Sequence, residues 1–109
     1  MSLESRRLDL QSRLEEILGS RNVYFQPPAS ISLSYPCIVY SFEGEDTLHS
    51  NNVKYKRWYR YSVVLITKNP FPTDLLEALS DTPYSRFDRE YQSDNLHHFA
   101  YTVILDERN

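Results

Sequence analysis

The sequence predicts one α+β domain in the order α-β-β-β-α-β, an antiparallel sheet of about four strands backed by two helices, with a long β-hairpin projecting from it. Three observations carry this reading. An amphipathic stripe opens the chain, runs rich in β-branched and aromatic residues fill its middle and its end, and a short Leu-rich segment at helical spacing lies between them. The 109 residues suit a single core, so residues 1–109 are read as one domain.

From Ser2 to Leu18 the apolar residues Leu3, Leu10, Leu14, Ile17 and Leu18 form one helical stripe, and Gly19 offers the left-handed position that ends it. Leu8 falls off the stripe. "NVYFQPP" reads as a short strand halted by Pro27 and Pro28, which cannot donate to a ladder and confine it to an edge. "CIVYSFEG" has strand composition. "EGEDTLHSNN" is polar and aperiodic, and is expected to be the mobile tip of a hairpin.

The next strand runs from about Val53 to Thr67. At roughly 3.3 Å per residue it outreaches a compact core of this size. Strict alternation puts Val53, Tyr55, Arg57, Tyr59, Tyr61, Val63 and Leu65 on one face and Lys54, Lys56, Trp58, Arg60, Ser62, Val64 and Ile66 on the other. The cations are therefore split between faces. "VVLI" is apolar on both and belongs to the core, which divides the run at about Tyr61 and leaves "KYKRWYR" as a projecting ribbon.

"KNPFP" ends the strand, Thr73 is the expected N-cap of helix "DLLEALS", and Leu75, Leu76 and Leu79 face inward. "YSRFDREYQSDNL" has Phe87 and Tyr91 at helical spacing and is expected to be loop with a turn of helix. "HHFAYTVIL" is the last strand and "DERN" a polar tail.

Composition narrows the function. With 12 Lys and Arg against 15 Asp and Glu, the net charge of −3 opposes non-specific nucleic-acid binding. The 14% aromatic share, led by nine Tyr, points to half-buried rings and interfaces. One cysteine, Cys37, excludes an internal disulfide and sits in strand-like "YPCIVY", where it is expected to be buried and inert. Two glycines, Gly19 and Gly44, cannot build a phosphate-binding loop. No apolar run approaches a membrane span and no leader is evident, so a soluble intracellular protein is expected. His97 and His98, adjacent in a strand, point to opposite faces and cannot share a metal. No catalytic residue, metal or cofactor is expected. Asp88, Glu90 and Asp94 interleave with Arg86 and Arg89 as a salt-bridging surface, and the acidic Glu43, Glu45 and Asp46 meet no opposing cation before Lys54.

Taken together, "YPCIVYSFEGEDT", "YKRWYRYSVVLITKNP" and "SRFDREYQSDNLHHFAYTVIL" resemble the small tail terminator, or head-tail joining (neck), proteins of long-tailed bacteriophages and prophages, over about Tyr24 to Leu105. The resemblance implies a non-enzymatic virion protein, assembled in the bacterial host cytoplasm. It would form a homo-oligomeric ring, commonly a hexamer, at the head-proximal end of the tail tube. Such a ring stops polymerisation of the tail tube protein and docks the head-tail connector protein of the capsid, while genomic DNA passes through the lumen without specific binding. Glu43, Glu45 and Asp46 are then lumen-facing loop candidates. Tyr55, Arg57, Trp58, Tyr59, Arg60, Asp88 and Glu90 are candidates for the subunit interface, with Arg57 or Arg60 meeting Asp88 or Glu90 of a neighbour. Other neck proteins, such as a stopper or head-completion protein, share size and element order. A single-stranded nucleic-acid module using residues 54–61 is the alternative outside this class.

Overall fold

A computed structural model describes residues 3–50 and 53–106. The elements are α1 (Leu3–Leu18), β1 (Val23–Phe25), β2 (Cys37–Ser50), β3 (Val53–Thr67), α2 (Thr73–Ser80), β4 (Ser85–Ser93) and β5 (Leu96–Asp106). They form one five-stranded sheet in the order β1-β2-β3-β5-β4, antiparallel throughout except that β1 runs parallel to β2. The α+β class is as predicted. The strand count is not, because segment 85–93 forms β4 rather than loop and helical turn.

The reason lies in two local features. Asp94 and Asn95 take φ of +54° and +64°, the pair of left-handed residues that makes a two-residue hairpin between Ser93 and Leu96. A register shift between Phe87 and Arg89 then inserts Asp88 as a bulge. The bulge breaks the period of two, so Phe87 and Tyr91 fall at a misleading four-residue spacing although they point to opposite faces.

A second bulge explains the other departure. β2 does not end near Gly44 in a mobile tip but continues to Ser50, paired with β3. The shift between Phe42 and Gly44 makes Glu43 the extra residue and reverses the alternation beyond it. Each half of the strand alternates correctly, but the whole does not.

The helices lie on one face of the sheet only. Leu10 and Leu14 of α1 and Leu79 of α2 cluster with Val23, Ile38, Tyr40, Tyr59, Tyr61, Val63, Leu65, Phe99, Tyr101 and Val103. Leu10, Leu14, Ile17 and Leu18 of the stripe read from the sequence are thus the face that α1 packs on the sheet, the side chain of Leu3 lies outside the described residues, and Leu8 stands exposed. Gly19, at φ +76°, closes α1 with its amide on the Glu15 carbonyl. Leu75 and Leu76 pack against the cluster as expected. Thr73 does not cap α2. Pro72 holds that position without a side-chain hydrogen bond, and the Thr73 hydroxyl turns back to the Phe71 carbonyl at 3.5 Å.

Buried tyrosines join the two layers. Tyr40 donates to Gln11 Oε1 at 2.5 Å and accepts from Arg7 Nη1 at 3.1 Å, both on α1. Tyr101 donates to the Leu76 carbonyl at 3.3 Å and lies 3.4 Å from Ser80 Oγ, both on α2. Arg7 also caps the Phe25 ring at 4.4 Å. The opposite sheet face carries no helix; connector 26–36 covers part of it, where Pro27, Ile31 and Leu33 approach Val39, Val64 and Ile66.

The hairpin projects as predicted, giving extents of 50 × 25 × 23 Å. Its base lies nearer the tip than Tyr61, because β5 pairs with β3 as far as Trp58 and Asp106.

Leu14, with no exposed surface, anchors α1. We predict that Leu14→Ala lowers unfolding free energy in urea by about 2–5 kcal/mol, while Leu8→Ala changes it by less than about 0.5 kcal/mol.

Candidate assembly surface

The projecting hairpin pairs its own charges. After the bulge at Glu43, Glu45 sits opposite Tyr59 on the helix-bearing face and Asp46 opposite Trp58 on the open face. Each carboxylate therefore lies diagonal to an arginine on its own face. Arg60 Nη1 reaches both Asp46 oxygens at 2.6 Å, and Arg57 Nη1 lies 4.0 Å from Glu45 Oε1. Gly44, opposite Arg60, makes the first contact possible, since a Cβ there would stand 2.7 Å from Arg60 Nη2. The absence of side chain lets the guanidinium lie across the strand.

These positions revise the expected site. Glu43, Glu45 and Asp46 are strand residues rather than a loop, and Glu45 and Asp46 face opposite sides, so the acidic stretch does not present one surface. Arg57 and Arg60 meet acids of their own hairpin. Tyr59 is a core residue at 7% exposure and offers no ring to a partner. Trp58 remains half-buried on the open face, with Lys56 Nζ 5.5 Å from its ring centre. The side chain of Tyr55 lies outside the described residues. Among the described residues, Trp58 is thus the one predicted stacking ring of the strand that lies outside the core.

Asp88 and Glu90 also part company. Asp88, in its bulge, faces the open side, accepting from Thr102 Oγ1 at 2.5 Å and Arg86 Nε at 3.0 Å. Its burial opposes ionisation, but those hydrogen bonds prevail and hold the carboxyl below its usual range. Glu90 turns to the helix side, 3.3 Å from His97 Nδ1. His98 lies on the open face with its ring stacked on Tyr91 at 4.7 Å. The two histidines face opposite sides as predicted. Among the described residues no group of three His, Cys, Asp or Glu side chains is arranged to hold a metal.

Sequence reasoning missed β4 and what it exposes. Beside it runs a groove of about 500 Å³ lined by Phe71, Leu76, Phe87, Glu90, His97 and Phe99. Tyr84 and Phe87 at one edge of the sheet, and Phe42 and Leu48 on β2, are exposed large apolar residues. The signal that could have revealed β4 was the Asp94-Asn95 pair between two runs of strand length.

Cys37 is buried where expected, and desolvation pushes its thiol up to about 11. No helix is long and apolar enough to cross a membrane among the described residues. No protein-family model matches the chain, and no curated protein matches it either.

Burial raises Cys37, Tyr40 and Tyr61 above their free values. The unfolded chain ionises first, so stability held below about pH 9 is lost as pH climbs toward 11 and beyond, read as a falling urea midpoint. At pH 8 the native thiol should resist a maleimide that labels the unfolded chain rapidly. For Asp88 the sign is opposite: its contribution is present above the ordinary carboxylate pKa and is lost as pH falls through its lowered value. Thr102→Val should move its titration, followed by carboxyl NMR, upward.

Proposed function

We propose that the protein is a structural subunit of a phage or prophage neck. In this reading it forms a ring at the head-proximal end of the tail tube, stops tube polymerisation and provides the docking surface for the capsid connector, with DNA passing through the lumen. The observation that carries it is the one-sided sheet. A five-stranded sheet with helices on one face leaves both edges and the part of the other face beyond connector 26–36 available, and a β-hairpin extends from it beyond the body of the domain. Such edges invite pairing with other chains, and closed symmetric assembly is the usual way to satisfy them.

The hairpin geometry refines the reading. Glu45 and Asp46 are already matched by Arg57 and Arg60, so the hairpin is close to neutral along its length rather than an acidic spike. A neutralised ribbon suits a lumen through which DNA slides without adhesion. A stopper or head-completion protein would use the same architecture, and contact with the tube distinguishes them.

Mass photometry and negative-stain microscopy of concentrated protein, with and without tail tubes, test the proposal. The expected outcome is ring-shaped multimers, alone or on tube ends, and tubes of regulated length. A strict monomer under both conditions, leaving tube length uncontrolled, would overturn it. Salt-sensitive binding of labelled oligonucleotides would instead favour the single-strand reading.

A further inference from the structure

We infer that successive copies join edge to edge, β2 of one copy pairing antiparallel with β4 of the next, in one register fixed by the two bulges. The inference rests on the ring reading and specifies the seam that would close it.

Both edges are open in the right places. β1 flanks β2 only from Ile38 to Tyr40, and the Phe42 amide is taken by Gln26 Oε1, so from Glu43 onward no strand flanks β2 among the described residues. β4 ends the sheet on the other side. Because β2, β3, β5 and β4 alternate in direction, β2 and β4 run oppositely. Two copies facing the same way therefore set β4 beside β2 as an antiparallel pair, the head-to-tail contact that generates rings.

The backbone groups select the register. Tyr40 turns its carbonyl outward, to Gln26, and Tyr84 turns its carbonyl inward, to Ile104. Counting along each ladder across its bulge, Glu45 and Thr47 of β2 and Phe87 of β4 point their amides and carbonyls away from the sheet, and Ser85 points its carbonyl that way while its amide donates to the Thr82 carbonyl at 3.2 Å. Glu45 opposite Phe87 and Thr47 opposite Ser85 is the alignment that pairs these groups while bringing the two bulges, at Glu43 and at Asp88, side by side. It keeps like faces together.

Side chains then complement one another on the open face. Asp46 meets Arg86 of the next copy, and Glu43 meets Arg89. Arg60, Asp46, the next copy's Arg86 and its Asp88 form a chain of alternating charge, whose two halves already exist at 2.6 Å and 3.0 Å. Leu48, 48% exposed, comes against Tyr84, 78% exposed. The most exposed large apolar side chain among the described residues and one on the hairpin are covered by the same alignment. A second copy is thus the occupant that the charges and the backbone pattern fit.

Paired cysteines and a charge swap test the seam. Thr47→Cys and Ser85→Cys in one chain should, on mild oxidation of concentrated protein, give a ladder of covalent multimers. A mixture of the two single variants should stop at dimers. Asp46→Arg or Arg86→Asp alone should weaken assembly by about tenfold or more, and the double reversal should recover most of it. Circular dichroism checks that each variant is folded. Multimers that form without cross-linking at these positions, or without rescue by the double reversal, would overturn the seam and leave the ring reading standing. Absence of multimers under every condition, tail tubes included, would overturn both.

Discussion

The fold depends on the need of large buried tyrosines to satisfy their hydroxyls. Tyr40 and Tyr101 are among the largest fully buried side chains, and burying a hydroxyl without a partner costs more than the ring gains from one extra contact. Tyr40 finds its partners on α1 and Tyr101 on α2. The polar ends of the core are therefore what orient the helices on the sheet. With both helices committed to one face by these bonds, the other face is left to a connector and to polar side chains. One-sidedness, and everything proposed from it, follows.

Within that frame the two bulges shape the surface. Each inserts one residue, reverses the alternation and turns a run of charges into an ordered pattern. At Glu43 the reversal places Asp46 and Glu45 each diagonal to an arginine. At Asp88 it brings that carboxylate to Thr102 and Arg86 and sends Glu90 to His97 on the other side. Charge segments that look crowded in sequence are separated by faces in space. A hairpin neutralised internally, in a sheet whose far edge strand alternates in sign, supports the proposed contact between copies.

How far this was legible follows from the same features. The stripe Leu10-Leu14, the termination at Gly19, the edge strand before Pro27, the alternation of Tyr59, Tyr61, Val63 and Leu65 and the burial of Cys37 could be read directly, because period and composition agree there. β4 and the outer half of β2 could not. In both, a bulge breaks the period on which strand recognition rests, and the polar composition of an exposed strand resembles that of a loop. The site residues divide similarly: alternation is enough to give Trp58 and Arg60 their face, whereas the burial of Tyr59 depends on the reach of β5 along β3, a tertiary fact. The intrachain partners of Arg57 and Arg60 are not legible in sequence, because the diagonal that brings Glu45 and Asp46 to them exists only with the bulge at Glu43.

The proposed ring closes where the open β2 edge of one copy meets the β4 edge of the next. Amide hydrogen exchange, compared between dilute and concentrated protein, tests it most directly. Concentration-dependent protection is expected at the outward amides of Glu45, Thr47 and Phe87, with the core amides of β3 and β5 already slow in both samples. Association with no change at those three amides, and new protection confined to the helix-bearing face, would contradict it.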